Sequence, residues 1–142
     1  MTSSQNDAER GEVFMTTHTA PEIQEMRCHD ARAEVRAVVE TACRLPSGQA
    51  RRFREDALLV ASELTSNAIL HGGGLTRFHA RIEDGSLLIQ VSDHSTTTPH
   101  LVLHNPGLPG GFGWMITQRL ASHVSVDIQP DGKTITAVLA LP

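Results

Sequence analysis

The sequence predicts an α+β protein, a two-layer α/β sandwich in which helices cover one face of a mixed, mostly antiparallel sheet. Three observations carry this reading. Two stretches in the first half place apolar residues at helical spacing, Ala31, Val35, Val38, Val39, Ala42 and Leu45 in one and Ala57, Ala61, Leu64 and Ala68 in the other. Two later stretches are rich in β-branched and apolar residues and fold back at strong turn signals, Asp84-Gly85 and Gln129-Pro130-Asp131-Gly132. The 142 residues suit one domain with one core.

Residues 1–20 are polar with few apolar anchors and read as a flexible N-terminal tail, so the folded domain is 21–142. Residues 22–29 contain Ile23, Met26 and Cys28 and read as an edge strand. Asp30 then caps a helix whose outward positions are Arg32, Arg36 and Glu40, ended by Pro46-Ser47-Gly48. The next helix is entered through the charged run 51–56 and stopped by Gly72-Gly73-Gly74. Strands are expected over 75–83, with Phe78, Ala80 and Ile82 on one face, and over 86–92.

Residues 94–110 have no sustained periodicity and carry three prolines, and a loop of that length in a compact domain is usually functional. A helix over 111–122 follows, with Met115, Ile116, Leu120 and Ala121 as its apolar side. Strands over 124–128 and 133–141 close the chain.

Composition narrows the function. The net charge is −4 and no basic tract is present, which argues against direct nucleic-acid binding. Aromatic content is only 4%, so aliphatic side chains must fill the core. No apolar run reaches the ~20 residues of a membrane span, and no signal-peptide core is visible, so no membrane association and a cytoplasmic location are expected. Cys28 and Cys43 lack metal spacing and read as small core residues in a reducing compartment. His94, His100 and His104 match no common zinc pattern.

Glu63 and Asn67 are four residues apart and share one flank of their helix, beside its apolar stripe. A carboxylate and a carboxamide at the edge of a core-facing surface are costly to bury without partners. Two readings stay open from spacing alone, a polar flank of a surface helix or a site. Asp93 ends an apolar strand, where an Asp is equally at home in a turn. Gly111 and Gly113 open a helix, whose free N–H groups and dipole attract phosphate.

The run Glu63-Leu64-Thr65-Ser66-Asn67-Ala68-Ile69-Leu70-His71-Gly72 resembles the N-box of the GHKL ATP-binding superfamily, which includes gyrase, histidine kinases and MutL. Val91-Ser92-Asp93 after a strand and Gly110-Gly111-Phe112-Gly113-Trp114 opening a helix resemble its two further boxes, in the same order. The branch it resembles more closely is that of small serine kinases and anti-sigma proteins related to RsbW and SpoIIAB. The resemblance spans roughly residues 24–141 and implies the Bergerat fold, with ATP and Mg²⁺ as ligands.

By resemblance, Asn67 is the Mg²⁺ ligand and Glu63 the general base that deprotonates an attacking hydroxyl. Asp93 accepts a hydrogen bond from the adenine amino group, and Gly111 and Gly113 lie against phosphate. His71, at the end of the N-box, and Thr134, in the last hairpin, complete the nucleotide-contacting set. Many relatives follow the Asp with glycines, whereas His94-Ser95-Thr96-Thr97-Thr98-Pro99 follows here.

The resemblance implies a serine/threonine-protein kinase that binds a sigma factor and phosphorylates a STAS-domain antagonist, with a homodimer formed through the helix bearing Arg32 and Arg36. The alternatives are a non-catalytic ATP-binding module that sequesters a protein partner and a stand-alone histidine-kinase-like catalytic domain.

Overall fold

The computed structural model describes residues 20–42, 47–97 and 113–142. Helix α1 (Ala20–Ala42) is followed by α2 (Ser47–His71), strands β1 (Leu75–Glu83) and β2 (Ser86–Asp93), helix α3 (Gly113–Leu120), and strands β3 (His123–Gln129) and β4 (Gly132–Ala140). The sheet order is β1-β2-β4-β3 and each neighbouring pair is antiparallel, so the sheet over the described residues is antiparallel rather than mixed.

The start of α1 corrects the sequence reading. Residues 22–29 are helical, not an edge strand, and Asp30 is an exposed residue inside the helix, not its cap. Pro21 in the first turn removes only an N–H that has no intrahelical partner, and Glu22, Gln24, Glu25, Met26 and Arg27 are good helix formers. Ile23 and Met26, read as strand residues, are spaced by three, a helical interval. Ala31, Val35 and Val39 then recur every fourth residue and are buried. Arg36 and Glu40 are exposed as expected, while Arg32 is half-buried. Leu45 and Cys43 lie outside the described residues, and so does the proposed tail except Ala20, which begins α1.

Helix α2 is the centre of the molecule. Its start at Ser47 lies a turn before the expected charged entry, so Ser47 and Gly48 belong to it and do not end α1. Phe53, Ala57, Val60, Ala61, Leu64 and Ala68 line its buried face. At its end the Ala68 carbonyl accepts from the amides of both Gly72 and Gly74, each at 3.0 Å. Gly73 and Gly74 hold φ of 76° and 121°, a left-handed region that side chains disfavour, which is why the helix stops here.

Asp84 and Gly85 turn β1 into β2 with φ of 54° and 73°, the primed hairpin geometry that the dipeptide favours. Strand alternation then sorts the sheet into two faces. Phe78, Ala80 and Ile82 stand opposite Val91, Ile89 and Leu87. Those stand opposite Ile135, Ala137 and Leu139, and the whole set packs under the helices. The other face is mostly polar, with Leu88 opposite Val138. Arg81 donates to Gln90 at 3.1 Å, Gln90 to Thr136 at 3.3 Å, and Ser92 and Thr134 share a 2.8 Å hydrogen bond.

Side chains of α1 cover the outer edge of β1. Arg27 Nη1 donates to the Leu75 carbonyl, and Glu34 Oε2 accepts from the Ala80 amide at 3.0 Å. These bonds occupy backbone groups that an edge strand would otherwise offer to another chain.

Helix α3 and the residue after it pack Leu120 and Ala121 against the core as expected, but the rest of its buried side differs. Gly113 and Thr117 are buried, while Met115 is 52% exposed. The helix lies close to α2, and small residues one turn apart permit that approach. Among the described residues no helix is long and apolar enough to cross a membrane.

Candidate functional site

Leu64 and Ala68 are locked in the core, and this fixes the rotation of α2. Glu63 and Asn67, each one position before them, are thereby turned toward α3, into a cleft that Ser66, His71, Gly113 and Thr117 also line. Glu63 is half-buried and Asn67 is buried. The Asn67 Oδ1 is shielded from solvent and has no hydrogen-bond partner among the described residues. A buried carboxamide oxygen without a partner is costly, and a hard cation or an ordered water is the kind of group that would relieve it.

The start of α3 rests directly on Glu63. A Cβ on Gly113 would overlap Glu63 Oε1 and sit 3.0 Å from its Cδ, so only glycine fits here without displacing the carboxylate. The carboxylate thus lies at the N-terminal end of a helix, where the dipole favours negative charge.

Asp93 forms a second centre just beyond the end of α2. Its carboxylate is closed in on three sides. Lys133 Nζ donates to Oδ2 at 2.8 Å, the Ser95 amide donates to Oδ1 at 2.8 Å, and Gly72 packs so tightly that a Cβ there would overlap the carboxylate. The His94 amide donates to the Gly72 carbonyl at 2.9 Å, which joins the end of β2 to the end of α2. Gly132 in turn lies against the Asp93 carbonyl, with no room for a side chain.

The structure therefore brings Glu63, Asn67, His71 and Gly113 into one cleft, while Asp93 packs against Gly72 just past the end of α2. Gly111 lies outside the described residues, as does most of the 94–110 loop. Thr134 is a correction. It stands on the polar face of the sheet, bonded to Ser92, whereas Asp93 and Lys133 are paired on the helix-covered face. Alternation along β4 puts Lys133 inward and Thr134 outward, so Thr134 does not close the cleft.

Two residues were missed by sequence reasoning. Lys133 is buried on Asp93, and the signal was its parity with Ile135, Ala137 and Leu139. Thr117 is fully buried in the cleft, one turn from Gly113. Cys28 is a free thiol whose pKa is raised, chiefly by burial, against smaller opposing effects of Arg32 and a hydrogen bond with Ser66.

The family model described as the histidine kinase-like ATPase domain matches residues 25–139. Solved structures similar to the chain include the histidine kinase domain of a blue-light-activated histidine kinase from Erythrobacter litoralis, at 18% identity and a TM-score of 0.46, covering 63% of this chain and 45% of that one. The histidine kinase AdeS of Acinetobacter baumannii is similar at 18% identity and a TM-score of 0.46, covering 62% of this chain and 47% of that one. The chain thus spans less than half the length of either. No curated protein matches. With a family model covering most of its length, this chain belongs to the histidine kinase-like ATPase domain family.

Proposed function

We propose that the chain binds an adenosine nucleotide with Mg²⁺ in the cleft between α2 and α3 and transfers a phosphoryl group to a serine or threonine hydroxyl. The observation that carries this is the buried Oδ1 of Asn67, unpartnered among the described residues, in one cleft with Glu63. That oxygen suits a hard cation, which would draw off charge from the phosphates when bound. His71, Gly113 and, two residues before it in sequence, Gly111 would lie along the nucleotide, and Asp93 would meet the base.

Glu63 would act as general base, taking the proton of the attacking hydroxyl. The partners would be those of an anti-sigma-type kinase, a sigma factor and a STAS-domain antagonist, with a homodimer presenting the exposed Arg36 face of α1.

A second reading has one observation in its favour. Asp93 already accepts from Lys133 and Ser95 and is shielded from solvent, so a base reaches it only after Lys133 or the following loop shifts. That supports a module that binds nucleotide weakly and acts by sequestering a partner.

Calorimetric titration with ATP and MgCl₂ tests the first step, and absence of binding at millimolar nucleotide to folded protein overturns the proposal. Asn67→Ala should weaken both binding and transfer. Glu63→Ala should keep binding and lower transfer by roughly 10²–10⁴-fold, the usual worth of a positioned base. Binding by the parent without phosphorylation of any STAS-domain candidate favours the sequestering module.

A further inference from the structure

Thr117 is fully buried, and its hydroxyl has no hydrogen-bond partner among the described residues. A threonine inside a helix ordinarily gives its hydroxyl to the carbonyl four residues back. Thr65 on α2 does so, bonding the Ala61 carbonyl at 2.6 Å. Thr117, equally buried, does not. Thr117 lines the same cleft as Asn67, whose Oδ1 is unpartnered among the described residues, and Glu63.

The space left between the side chains of this cleft is about 20 Å³. A cavity of at least about 10–15 Å³ with two to four polar partners is what one buried water requires. Glu63, Asn67 and Thr117 are among the residues that line it, and the hydrogen-bonding types of their side-chain oxygens complement a water molecule. A water can donate one proton to Asn67 Oδ1 and the other to Glu63, while it accepts from the Thr117 hydroxyl. Every polar atom of the group would then be satisfied. A carboxamide oxygen carries two lone pairs, so Asn67 can accept from this water and still face a cation.

We propose that Thr117 is a positioning residue that, with Asn67, holds one ordered water against the Glu63 carboxylate. This rests on the proposed function only in its consequence. The water marks the place of the attacking oxygen. A substrate hydroxyl that displaces it inherits the donation to Glu63 and the hydrogen bond from Thr117. When no substrate enters, the water itself attacks the terminal phosphorus. Its oxygen bonds to phosphorus, the bond from phosphorus to the bridging oxygen breaks, and one water proton passes to Glu63. Nucleoside diphosphate and inorganic phosphate leave.

The test begins with the nucleotide-free protein, so that it stands apart from the nucleotide reading. A high-resolution crystal structure of the parent is expected to show one water within hydrogen-bond reach of Thr117 Oγ1, Asn67 Oδ1 and Glu63. A dry cleft overturns the proposal. Thr117→Val keeps the shape and deletes the hydroxyl. If the hydroxyl holds the water, this variant melts below the parent; if the hydroxyl is a bare orphan, it melts above, and the proposal fails. Thr117→Ser should restore the parent melting point.

With nucleotide and MgCl₂, Thr117→Val is expected to bind as the parent does, to release inorganic phosphate roughly 10–100-fold more slowly, and to be rescued by Thr117→Ser. Release by Thr117→Val at the parent rate would remove the positioning role. A parent that binds nucleotide in the calorimetric titration but releases no phosphate overturns the water-attack step, whereas a parent that binds no nucleotide refutes the nucleotide reading. The water site itself is judged on the crystal and melting measurements.

Discussion

The ammonium of Lys133 lies 2.8 Å from Oδ2 of Asp93, and both side chains are almost wholly shielded from solvent. The two residues face each other across the β2–β4 ladder, at the end of one strand and near the start of the other. Burying both charges is costly, and their attraction with the added Ser95 amide bond offsets that cost. Removing one partner leaves an uncompensated buried charge. Lys133→Met is therefore expected to destabilise the fold by about 3–5 kcal/mol. The double variant Lys133→Met/Asp93→Asn should recover much of the loss. Urea denaturation midpoints measure both, and a single variant as stable as the parent would show that the pair contributes nothing.

Gly72 meets the same carboxylate from the helix side. Its φ is not in the left-handed region, so the objection to a side chain is space alone. Gly72→Ala should cost about 1–3 kcal/mol, the usual range for overpacking a tight contact. A thermal scan showing an unchanged or higher melting temperature would mean that Asp93 moves aside freely.

These contacts mark where sequence reading succeeds and where it stops. The end of α2 was legible because three glycines can only be a stop. The β1–β2 hairpin was legible because Asp-Gly suits one turn geometry. Glu63 and Asn67 were legible as a flank because four residues make one helical turn. The pairing of Asp93 with Lys133 was not, since it depends on the register of two strands 40 residues apart. The same register sends Thr134 to the polar face. Thr117 was not legible either, because a threonine on a short helix reads as a surface residue until close packing against α2 buries it.

Glu34 and the Ala80 amide give a prediction about the sheet edge. Glu34→Ala deletes the acceptor of that amide, and the loss is expected to be about 0.5–1.5 kcal/mol. Freed edge groups also invite pairing between chains. Light scattering of the variant should show more self-association than Glu34→Gln, which keeps an acceptor oxygen. Equal scattering by both variants would mean that α1 does not protect the edge through this bond.

Burial raises the Cys28 thiol, so it is expected to remain protonated at neutral pH and to react slowly. Iodoacetamide at pH 7.5, read by peptide mass mapping, should label Cys28 much more slowly in the folded protein than in urea. Labelling at similar rates in both would show that the thiol is neither protected nor shifted.

Gly113 and Glu63 supply the sharpest sign test. Within a helix, replacing glycine by alanine ordinarily stabilises by up to about 1 kcal/mol, because alanine loses less backbone entropy. At Gly113 the added Cβ would overlap Glu63 Oε1, and overpacking of this kind costs about 1–3 kcal/mol. The second effect is the larger, so Gly113→Ala should destabilise the protein. In a Glu63→Ala background the obstruction is gone and only the helix preference remains. There the same substitution should be neutral or stabilising. The four proteins form a double-mutant cycle, with an expected coupling of about 0.5–3 kcal/mol between the two positions. Chemical denaturation of all four provides the free energies. If Gly113→Ala destabilises equally with and without Glu63, the carboxylate is not what the helix start rests on. The cleft geometry on which the general-base role depends would then have to be redrawn.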